Sequence, residues 1–229
     1  MIRLVVVGEG QTEESFVRDV LAPAFQSLGI YPEPRLISTS KGNKGGALSY
    51  PRVKKFLRDT LHEDLGIVVT TFFDLYALDT GFPGYEESRR QGTTEGRLAV
   101  LEAALQEDVR GAMGSRDRQD RFFPHIQPFE FEALLFSHVE RLVEREREWV
   151  PQKTILERVV QSAGGPEGID DGPETCPSAI LRQLPGHRYL KTTHGPQIAK
   201  SIGLARMEEF CPHFRRWCGR IRALGSLAT

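Results

Sequence analysis

The sequence predicts an α/β fold, a mostly parallel sheet flanked by helices and followed by a helical C-terminal region. Three observations predict it. Residues 2–7 and 67–73 are continuous apolar runs rich in β-branched side chains, without the alternation of a half-exposed strand, and so read as strands buried on both faces. Helical patterns separate these runs, the order that builds a parallel sheet. Beyond about Ser137 every signal is helical.

The elements follow in order. Residues 2–7 form a strand closed by Gly8. Thr12 then caps a helix whose first turn holds Glu13 and Glu14, favourable against the N-terminal dipole. Phe16, Val17, Val20, Leu21, Phe25 and Leu28 recur at helical spacing, Gly29 ends the pattern, and Pro23 predicts a kink or an early break. Residues 35–38 read as a second strand. Pro51 suits the first turn of a helix over residues 51–62, with Val53, Phe56, Leu57 and Leu61 on one face. The strand over 67–73 ends at Asp74. After a Gly/Pro loop at 80–84, Leu98, Leu101 and Leu105 mark a helix over 94–109. Residues 122–127 read as a third core strand, leading through Pro128 into residues 130–136. Helices are predicted over 139–147, 154–163, 178–184, 197–202 and 212–224. The chain thus divides into an α/β body, residues 1–137, and a helical, basic region, residues 138–229, packing on the same domain.

With 229 residues, 39% of them hydrophobic, the chain can bury a substantial core. No apolar run approaches the roughly 20 residues of a membrane span, and the N-terminus lacks a signal-peptide pattern. Three cysteines (Cys176, Cys211, Cys218) predict a reducing cytoplasm rather than a disulfide framework. The net charge of -1 conceals two poles. Residues 1–180 carry 21 basic and 29 acidic side chains, whereas residues 181–229 carry 9 basic and 2 acidic ones. An acidic body with a basic helical tail suits a phosphate-bearing partner, or else is a solvated basic helix.

Functional groups in open α/β sheets gather at the carboxyl ends of the strands. Acidic residues stand at all three predicted ends: Glu9, Asp74, and Glu130 with Glu132. Glu13, four residues after Glu9, can face the same place. Carboxylates converging from separate strands repel one another unless a cation sits between them, and hard oxygen ligands select Mg²⁺ or Mn²⁺. Taken singly, Glu13 and Glu132 also read as ordinary helix residues. Gly8-Glu9-Gly10 begins like a dinucleotide fingerprint, but Glu13 stands where its third glycine belongs. The SKGNKGG loop at 40–46 lacks the G-K-[ST] ending of a phosphate loop. Cys211, His213 and Cys218 lack the paired spacing of a zinc site, so the thiols read as buried apolar groups.

The stretches VVVGEGQTEESFVRDVLAP, KGNKGGALSYPRV, VVTTFFDLYAL followed by FPG, FFPHIQPFEFEALLFS, IDDGPETCPS, and HGPQIAKSIGL with CPHF, spread over nearly the whole chain, resemble the bacterial DUF4276 family and, more distantly, Toprim-like proteins. That resemblance implies a Toprim-like (Rossmann-like) fold in which a glutamate after the first strand and a DxD pair after a later one hold Mg²⁺ for cutting or joining phosphodiesters. Glu9 matches the glutamate and Asp74 the first acid of the pair. Glu13 and the Glu130/Glu132 pair resemble further acids of the overcoming-lysogenization-defect (OLD) nucleases, and Lys191 or Lys200 resembles their lysine. Tyr76 occupies the second DxD position, so the site implied is one ion, recruitment of Asp79 or Glu130, or an inactive centre.

The resulting expectation is a Mg²⁺- or Mn²⁺-dependent nuclease acting on DNA or RNA, with Glu9, Asp74, Lys191 and Lys200 catalytic and Glu9, Glu13, Asp74, Glu130 and Glu132 as ligands. The alternative is a non-catalytic partner module of an AAA- or ABC-type ATPase, an association the resemblance implies, or of nucleic acid. A phosphotransferase or phosphatase acting on a small nucleotide is a third reading.

Overall fold

The computed structural model describes residues 1–37, 48–113, 121–170 and 172–226; the SKGNKGG loop lies outside them. Five strands form the sheet: β1 (Ile2–Gly8), β2 (Ile30–Leu36), β3 (Ile67–Asp74), β4 (Phe122–Phe123) and β5 (Ile126–Gln127). Their order is β2-β1-β3-β4, with β5 also on β3, and every pairing is parallel. This is a Rossmann-like α/β arrangement.

The period of two along β1 divides the core between the faces of the sheet. Leu4 and Val6 join Phe16, Phe72, Phe131, Trp149, Ile198, Phe214 and Trp217 in one cluster. Val5 and Val7 join Val53, Leu57, Leu61, Leu98, Leu101 and Leu105 in the other. The C-terminal helices therefore bury their apolar stripes against the same strand that begins the chain. Trp217 adds a polar tie there, donating Nε1–H to Thr70 Oγ1 of β3 at 2.9 Å.

The second strand begins five residues earlier than the sequence predicts. Pro32 and Pro34 disguise it, yet β2 pairs only with β1, and an edge strand tolerates residues that cannot donate on both sides. The first helix departs at its start and its middle. It opens at Gln11 after Gly10, so Thr12 is not the cap and is instead buried in the first turn. It runs as α1 (Gln11–Phe16), a π-helical turn (Val17–Leu21) and α2 (Ala22–Gln26), with Pro23 in the first turn of α2. The wider π turn accommodates the proline, which can make no i→i−4 bond to Asp19. Residues 122–127 are two short strands broken at Pro124; Thr71 Oγ1 compensates, donating to His125 O at 2.8 Å and accepting from His125 N at 2.9 Å.

The remaining helices are α3 (Tyr50–Glu63), α4 (Tyr85–Ser88), α5 (Thr94–Met113), α6 (Val139–Val143), α7 (Lys153–Ser162), α8 (Pro177–Arg182), α9 (Lys191–Ile202), α10 (Leu204–Phe210) and α11 (Pro212–Ser226). A 3₁₀ segment, Phe131–His138, follows β5. The helix predicted over 139–147 stops at Val143, and a second 3₁₀ segment takes over at Arg147–Gln152, where Pro151 prevents α-helical bonding. The most consequential difference is α9. It starts at Lys191, six residues before the predicted 197, because Gly195 and Pro196 lie within its first turns and mask the pattern. Among the described residues no helix is long and apolar enough to cross a membrane.

Much of the C-terminal basic charge is consumed internally. Arg206 pairs with Glu209, Arg222 with Glu208 and Arg216 with Glu95, while the Arg220 guanidinium lies over the Phe123 ring. Arg182, Arg188 and Lys200 are exposed.

Candidate metal centre at the strand ends

The parallel sheet presents the carboxyl ends of β1 and β3 side by side, since Gly8 pairs with Phe72. Glu9 follows β1 directly, and its Oε1 accepts from the backbone N–H of Asp74 at 3.0 Å. Glu13, buried in the first turn of α1, folds back to accept from Gly10 N–H at 2.8 Å. The close fit explains Gly8, where a Cβ would meet Glu13 Cβ at 2.8 Å. Asp74 ends β3, and its Oδ1 accepts from Phe131 N–H at 2.8 Å. Glu130 Oε1 accepts from Ser178 N–H at 2.7 Å, which ties the site to the start of α8. Just before it, Phe129 has φ 58, the sole non-glycine residue with positive φ among those described. Such backbone costs free energy and persists where its surroundings enforce it.

Lys191 stands among these acids. Its Nζ lies 3.3 Å from Asp74 Oδ2 and 3.2 Å from Glu132 Oε2, so those two oxygens are no more than about 6.5 Å apart. Glu132 is fully buried; Tyr189 donates its hydroxyl to Glu132 Oε1 at 3.2 Å, while Oε2 has the Lys191 ammonium as its partner. Gly195 makes room for that hydroxyl, because a Cβ there would lie 3.0 Å from Tyr189 Oη and 3.2 Å from Phe131 Cε1.

Five acids with one ammonium leave excess negative charge in a dry place, and the titration behaviour reflects it. Burial, reinforced by Asp74 and Glu13, pushes Glu9 well above the usual carboxylate range. Burial, with Asp74 next, raises Glu13 to about 7. Burial likewise raises Glu132 to about 7, against the opposing pull of Lys191. Asp74 is raised by burial despite Lys191 beside it. Burial alone would lower Lys191, but Asp74, Glu132, Glu13 and Glu130 outweigh it and hold the ammonium charged.

The donors are carboxylate oxygens short of positive charge, the chemistry of hard divalent-cation ligands, but here Lys191 supplies the countercharge. Among the described residues the only three ligand atoms that gather within 4.8 Å of one another are those of Glu102, His125 and His213. Glu9, Glu13, Asp74, Glu130, Glu132 and Lys191 are thus linked around one centre. Lys200 is placed differently: it is exposed on α9, where its charge acts on Asp19. Tyr76 is 69% exposed and adds no carboxylate, and Asp79 is engaged with Tyr50 N–H and Gly81 N–H in its own turn.

Sequence reasoning missed two features. Tyr189 carries no motif that marks it, and only the fold brings it to Glu132. Separately, Glu102, His125 and His213 gather into a largely buried group able to hold a metal ion, from positions 23 and 88 residues apart in the chain. Cys211 and Cys218, the neighbours first considered with His213, are buried free thiols.

No curated protein and no solved structure matches the chain significantly. A family model described as a domain of unknown function (DUF4276) matches residues 8–222, a span that includes every residue of the centre, and the chain belongs to that family.

Proposed function

We propose that this protein is a Mg²⁺- or Mn²⁺-dependent phosphodiesterase acting on nucleic acid. The observation that carries the reading is the convergence of Glu9, Glu13, Asp74 and Glu132 around Lys191 at the ends of parallel strands. Glu9, Asp74 and Glu132, assisted by Glu13 and Glu130, would hold the ion, which when bound would polarise a phosphate and activate water. Lys191 sits where an ammonium can neutralise charge on a phosphate oxygen. Tyr189 holds Glu132 in place through its hydroxyl. Glu9, through Asp74 N–H, keeps the ends of β1 and β3 in register. The exposed Arg182, Arg188 and Lys200 offer contacts to a nucleic-acid backbone, which would make binding salt-sensitive and tolerant of sequence.

Plasmid nicking and RNA cleavage with Mg²⁺ or Mn²⁺ test this, comparing the wild type with Glu9→Gln and Asp74→Asn. Cleavage that both substitutions abolish is expected; equal activity in the variants would assign it elsewhere.

One observation favours a second reading, a non-catalytic partner module. Tyr76 points to solvent where a second acid would stand, and Lys191 already occupies part of the centre's charge balance. A Mn²⁺ titration separates the readings: an inert module would show neither heat nor a thermal shift.

A further inference from the structure

Glu102 of α5, His125 between β4 and β5, and His213 in the first turn of α11 each bring a possible ligand atom within 4.8 Å of the others. Glu102 Oε1 lies 2.9 Å from His213 Nε2 and 3.9 Å from His125 Nδ1. The imidazoles stack with centroids 5.0 Å apart, and Trp217 backs His125 at 4.6 Å, so both rings are fixed before any ligand arrives.

The proton positions follow from the neighbours. Arg216 Nη2 is 3.1 Å from His213 Nδ1, and a guanidinium can only donate, so Nδ1 accepts and Nε2–H donates to Glu102. On His125, Nε2 faces Gln127 Oε1 at 3.3 Å and donates to it. That leaves the Nδ1 lone pair of His125 3.9 Å from Glu102 Oε1, an oxygen that also accepts from Ile126 N–H at 2.9 Å. The two electron-rich atoms repel, and a cation between them would relieve that residual repulsion. The Gln127 side chain that orients His125 is wholly buried, and its Nε2 has no hydrogen-bond partner.

We propose that Glu102, His125 and His213 form a second metal site, of the two-histidine, one-carboxylate kind that takes Zn²⁺, independent of the acidic centre. Two imidazole nitrogens and one carboxylate oxygen satisfy three tetrahedral positions. Of the three ligands His213 lines a cleft of about 140 Å³, with Thr94, Glu95, Glu167 and Arg216, and is the side from which an ion and a fourth, water ligand would enter. Binding at Nε2 requires the single ring proton of neutral His213 to move to Nδ1, with no net proton lost. Arg216 then releases Nδ1 and keeps Glu95, 3.2 Å from its other terminal nitrogen. The ion would clamp α11 to α5 and to the turn between β4 and β5.

The test uses the full chain stripped with a chelator, titrated with Zn²⁺ by calorimetry and with Co²⁺ as an optical probe. With millimolar Mg²⁺ present to occupy the acidic centre, one Zn²⁺ or Co²⁺ per chain is expected, with tetrahedral Co²⁺ absorption and a change in tryptophan fluorescence, since Trp217 stacks on a ligand. Glu102→Gln and His213→Gln should each weaken binding by at least about tenfold, as even outer-shell losses do. Glu9→Gln and Asp74→Asn should leave it unchanged. Should a ligand variant fold poorly, Zn²⁺-edge X-ray absorption of the wild type still decides, by finding or not finding two imidazoles on the ion. Absence of stoichiometric binding, or binding lost in Asp74→Asn but kept in His213→Gln, overturns the proposal.

Discussion

Lys191 Nζ lies 3.3 Å from Asp74 Oδ2, joining the first residue of α9 to the last residue of β3 across 117 positions of sequence. Glu132 Oε2 is 3.2 Å from the same nitrogen. One ammonium thus restrains two buried carboxylates. Replacing Lys191 by Met keeps the stem's volume and removes the charge. Breaking a buried pair costs roughly 3–5 kcal/mol, and the 40% exposure of the Lys191 side chain reduces that to about 1–3 kcal/mol at pH 8. Urea unfolding should show this loss, and millimolar Mn²⁺ should restore much of it by supplying the missing positive charge. A variant as stable as the wild type would mean that Lys191 is not what balances the centre.

Cysteine reactivity reports on the C-terminal helices. Burial, and then Glu167, raises the Cys211 thiol well above its ordinary value; burial, and then Glu208, does the same for Cys218. Cys176 is partly exposed at the start of α8. A thiol reagent at pH 8 should therefore modify one cysteine quickly and two only as α10 and α11 open, with all three reacting in denaturant. Two or three fast thiols in the native protein would show that these helices are loosely packed.

The buried strands and the acids at their ends were legible because their signals are local. A β-branched run such as residues 67–73 states its own burial, and Asp74 lies at its end whatever the rest of the chain does. Lys191 was legible only as one of two candidates by resemblance. What separates it from Lys200 is the start of α9, and Gly195 with Pro196 obscures that start in the pattern while the tertiary structure overrides it. Tyr189 and the Glu102, His125 and His213 group were invisible for a stronger reason. Their meaning lies in contacts between residues 57, 88 and 111 positions apart, which no window along the chain can hold. Charge misled in the opposite sense: the basic tail looks like an open surface in sequence, but Glu95, Glu208 and Glu209 take up three of its arginines.

Gly195 decides whether Tyr189 reaches Glu132. In an ordinary helix interior, Gly→Ala gains about 1 kcal/mol. Here the new methyl would press on Tyr189 Oη at 3.0 Å and on the Phe131 ring at 3.2 Å, and overpacking typically costs about 1–3 kcal/mol. Gly195→Ala should therefore lower the thermal midpoint, against its helix propensity. Tyr189→Phe should cost only about 1 kcal/mol, the worth of one hydrogen bond. Differential scanning calorimetry of the two variants checks the order, and a stabilised Gly195→Ala would show that the hydroxyl can move away freely.

The acidic centre should also make stability fall as pH rises. Glu13 and Glu132 are held at about 7 in the folded chain, against an ordinary glutamate value of 4.5. Between those values the folded protein binds more protons than the unfolded one, so these groups stabilise it fully below about pH 4.5, and that contribution is lost as pH rises through 7. Each group can contribute a slope of up to about 1.4 kcal/mol per pH unit within that window. A divalent cation bound by the same carboxylates reverses the sign, since it competes with their protons and favours their charged forms. Chelator-treated protein should thus lose unfolding free energy from pH 5 to 8, and Mg²⁺ or Mn²⁺ should stabilise it more at pH 8 than at pH 5.5. Calorimetry in buffers of different ionisation heat should detect protons released near pH 6.5 as the ion binds, and Glu132→Gln should reduce their number. If stability instead rises with pH while added metal acts equally at both values, the carboxylates are already ionised, and Lys191 with the backbone N–H donors suffices to hold them.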